Sequence, residues 1–380
     1  MSRTLQQDRD QEELRGLVRR FLDDKAPVSE ARRLSSDTAG YDRTVWHRLT
    51  TELGLTGITV PEQYGGAGMG TEELGVVLEE MGRTLYSGPY FATTALACPA
   101  LLQCGDETAR ERWLPSLVSG GLTATLGTAE PTAGWDAPPA TRAVADGDAW
   151  RLTGVKAYVP DGHTTDLLLV NALCPEGVGL FAVSADASHL TRTELDTLDF
   201  TRPMARIELD GTPCVRVSPG DASEGLASVR DLARAALAAE QAGGAAACLD
   251  MAVDYARTRE QFGRPIGSFQ AVKHKCADML VRVECARSAA RYACSAVGRP
   301  GREASAAAAV ARAYCSEAYT HAAKENLQIH GGIGFTWEHD AHLFLRRAKT
   351  DELLFSSPRE ERARLAVLVD REASSADVGA

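Results

Sequence analysis

The sequence predicts an α+β chain in three parts: an N-terminal helical domain over residues 1–120, a middle β-barrel-like domain over 121–222, and a C-terminal four-helix bundle over 223–380. Three observations predict it. Apolar residues recur at helical spacing before residue 118, short β-rich runs fill 122–220, and long alanine-rich segments follow Pro219-Gly220. A chain of 380 residues also exceeds one small core and suits two or three domains.

In the first part Leu14, Leu17, Val18, Phe21 and Leu22 fall three and four residues apart, and the pattern returns at Leu74, Val77, Leu78 and Met81. Between them runs Val60-Pro61-Glu62-Gln63-Tyr64-Gly65-Gly66-Ala67-Gly68-Met69-Gly70. Its glycines suggest a phosphate cradle, but Thr71 stands where the dinucleotide fingerprint needs its third glycine, and no buried-type strand precedes the run. It reads as a sharp interhelical turn.

The middle part changes period. Trp150-Arg151-Leu152, Asp166-Leu167-Leu168-Leu169-Val170, Gly179-Leu180-Phe181-Ala182-Val183 and Ala205-Arg206-Ile207-Glu208-Leu209 are short, β-rich and bounded by Gly, Asp and Pro. After them come helical segments near 224–261, 267–297, 302–329 and 337–354, whose short connections make a bundle.

Composition excludes several functions. The net charge of −11, with no basic stripe interleaved with aromatics, argues against nucleic acid as a partner. Nine cysteines lack any metal-binding spacing and read as free thiols of a reducing compartment. A polar N-terminus without an apolar leader, and no apolar run of membrane-spanning length, predict a cytoplasmic protein with no membrane span.

Two runs carry a resemblance. Residues 257–270 read Arg-Thr-Arg-Glu-Gln-Phe-Gly-Arg-Pro-Ile-Gly-Ser-Phe-Gln, and residues 328–335 read Gln-Ile-His-Gly-Gly-Ile-Gly-Phe. Together they resemble the acyl-CoA dehydrogenase family, whose three-domain order is the one predicted above. The resemblance implies FAD, lying extended between the β domain and the bundle and reaching a neighbouring subunit. Arg259 matches the family's pyrophosphate-contacting arginine, a role its planar fork suits. Gln261, Phe262, Phe269 and Gln270 follow as further cofactor contacts, while Gln328, Gly331 and Gly332 match the segment that approaches the cofactor from the partner subunit.

In the β domain Thr128-Ala129-Glu130-Pro131-Thr132-Ala133-Gly134-Trp135-Asp136 resembles the family's Thr-Glu-Pro-x-x-Gly-Ser-Asp flavin loop, with Ala129 in place of a threonine and Trp135 in place of the serine. Gly154-Val155-Lys156-Ala157-Tyr158-Val159-Pro160 resembles the Gly-x-Lys-x-Trp-Ile-Thr strand beside the flavin ring. Tyr158 keeps an aromatic face there. Pro160 offers neither an amide N–H nor a hydroxyl.

Dehydrogenating an acyl thioester requires a base for the α-proton, and the family uses a glutamate. The two positions that carry it in different members correspond to Phe355 and Ala233. Asp231 and Arg234 match residues that contact the thioester region and so imply substrate binding. Glu240, two turns beyond Ala233 in an apolar run, is the candidate catalytic base, a relocated carboxylate, with pairing to a bundle arginine as the other reading. Glu338 and Asp340 read as caps of the next helix, and Glu360 and Glu361 as residues of a solvated terminal helix.

The resemblance thus implies FAD-dependent α,β-dehydrogenation of an acyl-CoA or carrier-bound acyl thioester, with an acceptor such as an electron-transferring flavoprotein. The chain is similar to actinobacterial members that act on sterol or polyketide-type acyl groups. It implies a homodimer or homotetramer, or a heterotetramer in which a homologous subunit bears the missing base. A flavin-dependent monooxygenase and a non-catalytic flavin-binding subunit stand as the alternatives.

Overall fold

The computed structural model describes residues 2–34, 40–147, 149–299 and 302–376. The helices α1 (Ser2–Lys25), α2 (Val28–Leu34), α3 (Arg43–Thr51) and α4 (Thr71–Thr84) come first, then a π-helical stretch (Phe91–Ala97), α5 (Cys98–Cys104) and α6 (Glu107–Val118). Seven strands follow: β1 (Ala124–Gly127), β2 (Arg142–Asp146), β3 (Ala149–Pro160), β4 (Leu167–Cys174), β5 (Gly177–Ser184), β6 (Leu190–Glu194) and β7 (Met204–Arg216). The chain ends with α7 (Ser223–Thr258), a hairpin of β8 (Glu260–Gln261) and β9 (Arg264–Pro265), then α8 (Gln270–Val297), α9 (Arg302–His330), α10 (Ala341–Asp351) and α11 (Pro358–Ala376). The expected order of helical, β and helical parts is observed.

These elements divide into two compact units, residues 1–31, 71–86 and 234–380 in one and 32–70 and 87–233 in the other. The N-terminal helices are therefore shared between units: α1 and α4 belong with the bundle, while α3, α5 and α6 belong with the strands.

The strands close on themselves. β4 pairs with β2, β2 with β3, β3 with β7, β7 with β5 and β5 again with β4, while β1 adds parallel to β4 and β6 adds antiparallel to β7. Closure removes the sheet edges that an open sheet would leave unpaired. Inward residues at alternating positions fill the centre, among them Leu152, Val170, Phe181, Val183, Ile207 and Leu209, with Trp150 against Phe181 at 5.4 Å. At the end of β3 the pairing with β7 slips between Lys156 and Val159, leaving Tyr158 in the left-handed region at φ 53°. In the same unit, Gly66 lies where a Cβ would stand 2.0 Å from the Val60 oxygen, so the glycines of 60–70 serve a tight turn.

In the bundle unit α7 is buried almost all round from residue 234 to 249, which accounts for its alanines. It crosses α4 backbone to backbone. A Cβ on Gly243 would sit 1.8 Å from the Glu79 oxygen, and one on Gly82 would sit 2.0 Å from the Glu240 oxygen. The adjacent carboxylates Glu79 and Glu80, both buried, are neutralised by arginines from other helices: Arg15 reaches each at 2.9 Å, Arg19 reaches Glu80 at 2.8 Å, and Arg287 reaches Glu79 at 2.8 Å.

Candidate functional site

The strand unit holds the loop and strand that the sequence reading assigned to the flavin ring. The loop is pinned by a buried ion pair: the Lys156 ammonium, fully buried, donates at 2.7 Å to Glu130 and at 2.7 Å to the Asn171 side chain. Glu130 also accepts from the Ala140 and Thr141 amides at 2.8 and 2.9 Å and from the Thr141 hydroxyl at 2.7 Å. Burial pushes the Glu130 carboxyl up, but the bonds from Lys156 and Thr141 outweigh it and hold the group at about 2. Burial pushes the Lys156 ammonium down to about 8 against the pull of Glu130. Glu130 and Lys156 stand in the runs quoted above without a role of their own, and Asn171 lies one residue beyond the quoted 166–170 run.

Around that pin Thr128 is partly buried, and the buried Ala129 accepts from the Ala157 amide at 2.9 Å. Tyr158 stays about half exposed and meets Trp135 with ring centroids 6.4 Å apart. Val159 is buried, and Pro160 turns its carbonyl to the Thr125 hydroxyl at 2.7 Å.

The bundle unit holds the second set. Arg259 accepts the Ile266 amide on its carbonyl at 2.8 Å and leads into the β8–β9 hairpin. Phe262 and Gly263 turn that hairpin at φ 54° and 75°, the two-residue turn with both φ positive. Phe262 is 91% exposed at its tip. Phe269 lies under the Arg264 guanidinium at 4.2 Å and edge-on to Phe262 at 6.1 Å. Gln261, Gln270 and Gln328 are exposed, as is the Arg259 side chain, which joins no ion pair among the described residues.

Gly331 takes φ 63°, and nothing lies within 4 Å of a Cβ built on Gly331 or Gly332. The left-handed backbone of Gly331 by itself favours glycine, while the open space beside Gly332 leaves bare backbone that a ligand could approach. With an exposed guanidinium and three exposed amide side chains in the same unit, these residues fit a cofactor bearing a pyrophosphate. His330, just before the glycines, stacks on Tyr255 and meets His339 at a tilt, both at 4.2 Å between centroids, with Nδ1 at 2.8 Å from the Asn326 oxygen. Burial lowers its pKa, which favours the neutral ring. Its letter was visible in the sequence, but its contacts were not.

The residues proposed for the thioester end are all buried. Asp231 and Ala233 lie in the strand unit, at 5% and 1% exposure. In the bundle unit Arg234 spends its guanidinium internally, with Nε at 2.5 Å from Glu361 and a second nitrogen at 3.3 Å from the Phe355 carbonyl. Glu240 is ion-paired with Arg347, so the bundle-arginine reading of this carboxylate is the observed one. Phe355 is buried and held at φ 64°, and its turn is tied down by the fully buried Arg312, which donates to the carbonyls of Asp351, Leu354 (2.8 Å) and Ser356 (3.0 Å).

Two expectations are corrected here. The cap of α10 comes from His339, whose Nδ1 accepts the Ala341 amide at 3.1 Å, while the Asp340 side chain makes no capping bond. Glu361 is 1% exposed rather than solvated, because its face of α11 packs inward; Glu360 stays outside and forms a capping box with Ser357. Among the described residues no group of His, Cys, Asp and Glu could hold a metal, and no helix is long and apolar enough to cross a membrane.

Comparison with known proteins agrees with this geometry. Family models described as acyl-CoA dehydrogenase, N-terminal domain and acyl-CoA dehydrogenase, C-terminal domain match residues 8–121 and 228–355. Acyl-CoA dehydrogenase IpdE2 of Mycobacterium tuberculosis is 34% identical over 355 residues, 93% of this chain and 95% of the relative. The Tcur3481–Tcur3483 steroid acyl-CoA dehydrogenase, as a variant, is similar at a TM-score of 0.88 and 34% identity, covering 97% of this chain and 99% of the other. The ChsE4–ChsE5 complex from Mycobacterium tuberculosis is similar at 0.87 and 30% identity, covering 95% and 97%. The chain belongs to the acyl-CoA dehydrogenase family, whose cofactor is FAD.

Proposed function

We propose that the chain is an FAD-binding subunit of an enzyme that dehydrogenates an acyl-CoA thioester of sterol-like type, working beside a homologous subunit that carries the base. What supports this reading is the resemblance, which puts Phe355 and Ala233 at the family's two glutamate positions; both residues are buried, and neither can accept a proton. The nearby carboxylate, Glu240, is committed to Arg347. FAD supplies the hydride acceptor when bound. Arg259, Gln261, Phe262, Phe269, Gln270, Gln328, Gly331 and Gly332 hold its phosphates and adenosine, and Thr128, Ala129, Tyr158, Val159 and Pro160 line its ring. Support for a two-chain enzyme comes from the ChsE4–ChsE5 complex and from the paired name of the steroid dehydrogenase among the similar structures.

The test is anaerobic mixing of the FAD-loaded chain with short, branched and sterol-like acyl-CoAs while the oxidised-flavin band is followed. The chain alone is expected to leave the band unchanged, and bleaching is expected once a glutamate-bearing homologue is added. Phe355→Glu is expected to bleach slowly by itself. Bleaching by the unaltered chain alone, abolished in Glu240→Gln, would overturn the reading and make Glu240 the base. Uptake of oxygen by the reduced chain, with no bleaching by any thioester, would favour a monooxygenase instead.

A further inference from the structure

Two departures from the family pattern touch each other. The loop carries Trp135 where the resemblance expects a serine, and the strand carries Tyr158 where it expects a tryptophan; the two rings lie 6.4 Å apart at 44°. Neither ring belongs to the barrel core. Tyr158 stands on the β3 bulge at φ 53°, a conformation costly for a residue with a Cβ, and keeps half its surface open. A strained backbone that presents an aromatic outward is not explained by packing inside the unit.

The loop is held on both sides of Trp135. Upstream, Glu130 is locked to Lys156, two residues before Tyr158 on the same strand. Downstream, Asp136 pairs with Arg230 at 3.0 Å. The indole is thus delivered to Tyr158 by a loop fixed at two charged anchors, with its side chain only partly buried.

We propose that Trp135 is a further cofactor-positioning residue, supplying from the loop the indole surface that related sequences carry on the strand. Across one contact the indole stands on the loop instead of the strand, and the strand keeps a smaller aromatic ring. An indole and a phenol held at a tilt of 44° offer adjoining apolar ring faces that suit a planar heteroaromatic ring, and the indole N–H offers a donor where the serine hydroxyl is lost. This inference rests on the reading that FAD binds beside the β3 bulge.

The experiment is a titration of FAD into apoprotein, following tryptophan emission together with Kd. Trp135→Ser is expected to weaken FAD roughly tenfold, the cost of one aromatic contact, and to remove most of the quenching, although Trp46, Trp113, Trp150 and Trp337 remain. The double variant Trp135→Ser, Tyr158→Trp is expected to recover Kd to within about threefold, which a variant that merely misfolds would not. Unchanged Kd and quenching in Trp135→Ser overturn the inference alone. Failure of the unaltered chain to bind FAD would sink the broader reading with it.

Discussion

Arg234 and Glu361, 127 positions apart in the chain, form a buried ion pair at 2.5 Å, with both side chains 1% exposed. The same guanidinium donates to the carbonyl of Phe355, and Ser356 donates its hydroxyl to Glu361. The turn that carries residue 355 is therefore fixed by the terminal helix. Removing Glu361 leaves Arg234 buried and without its carboxylate, which typically costs about 3–5 kcal/mol. Glu361→Ala should lower the melting temperature sharply, while Glu361→Gln, which keeps a hydrogen bond, should lose less. Equal melting of all three proteins would show that the pair contributes nothing.

Glu240 sits in the same unit, bonded to Arg347, with both groups at most 5% exposed. A buried carboxylate paired with an arginine is expected to support the helix packing. Glu240→Gln should therefore cost roughly 2 kcal/mol of stability, the range for a hydrogen bond to a charged group. With the glutamate-bearing partner present, its rate of flavin bleaching should stay within about twofold of the unaltered chain. Urea midpoints and stopped-flow traces separate the two effects.

Much of this was readable from the sequence, for reasons visible residue by residue. The alanine-rich helices declared themselves by length, and the runs at 166–170 and 179–183 by their β-branched and aliphatic letters between Gly and Asp. Strand β2 did not, because four of its five residues face solvent and the run Arg142-Ala143-Val144-Ala145-Asp146 is too short and mixed to show alternation. Glu361 was misread because Glu360-Glu361-Arg362 looks like a solvated charge run, and nothing local points to an arginine on α7. The Lys156–Glu130 lock and the stacked His330 were likewise present as letters, but their partners come from strands and turns that only the fold brings together.

The Glu130 lock should show in the pH dependence of stability. Its carboxyl falls from an ordinary 4.5 to about 2 in the folded chain, so the unfolded state binds its proton first as pH drops. The stabilisation is complete above about 4.5 and is lost as pH falls toward 2, amounting to roughly 3 kcal/mol at most. Glu130→Gln should therefore be less stable than the unaltered chain near neutrality, with the gap closing between pH 4.5 and 2. A gap independent of pH in urea unfolding would mean that the carboxylate is not the stabilising species.

The crossing of α4 and α7 makes the sharpest packing prediction. Gly243 has the Glu79 carbonyl where its Cβ would stand, at 1.8 Å, and the obstacle is backbone, which no rotamer change can clear. Gly243→Ala must push the two helices apart, and overpacking of this kind costs about 1–3 kcal/mol or more. The displacement also strains the bonds that Arg15 of α1 and Arg287 of α8 make to Glu79, which lies on α4 at the crossing. Partly buried Gly220, with nothing within 4 Å of a built Cβ, serves as the control: Gly220→Ala should leave the melting temperature unchanged while Gly243→Ala lowers it by several degrees. If both variants melt alike, the helices do not meet backbone to backbone in solution.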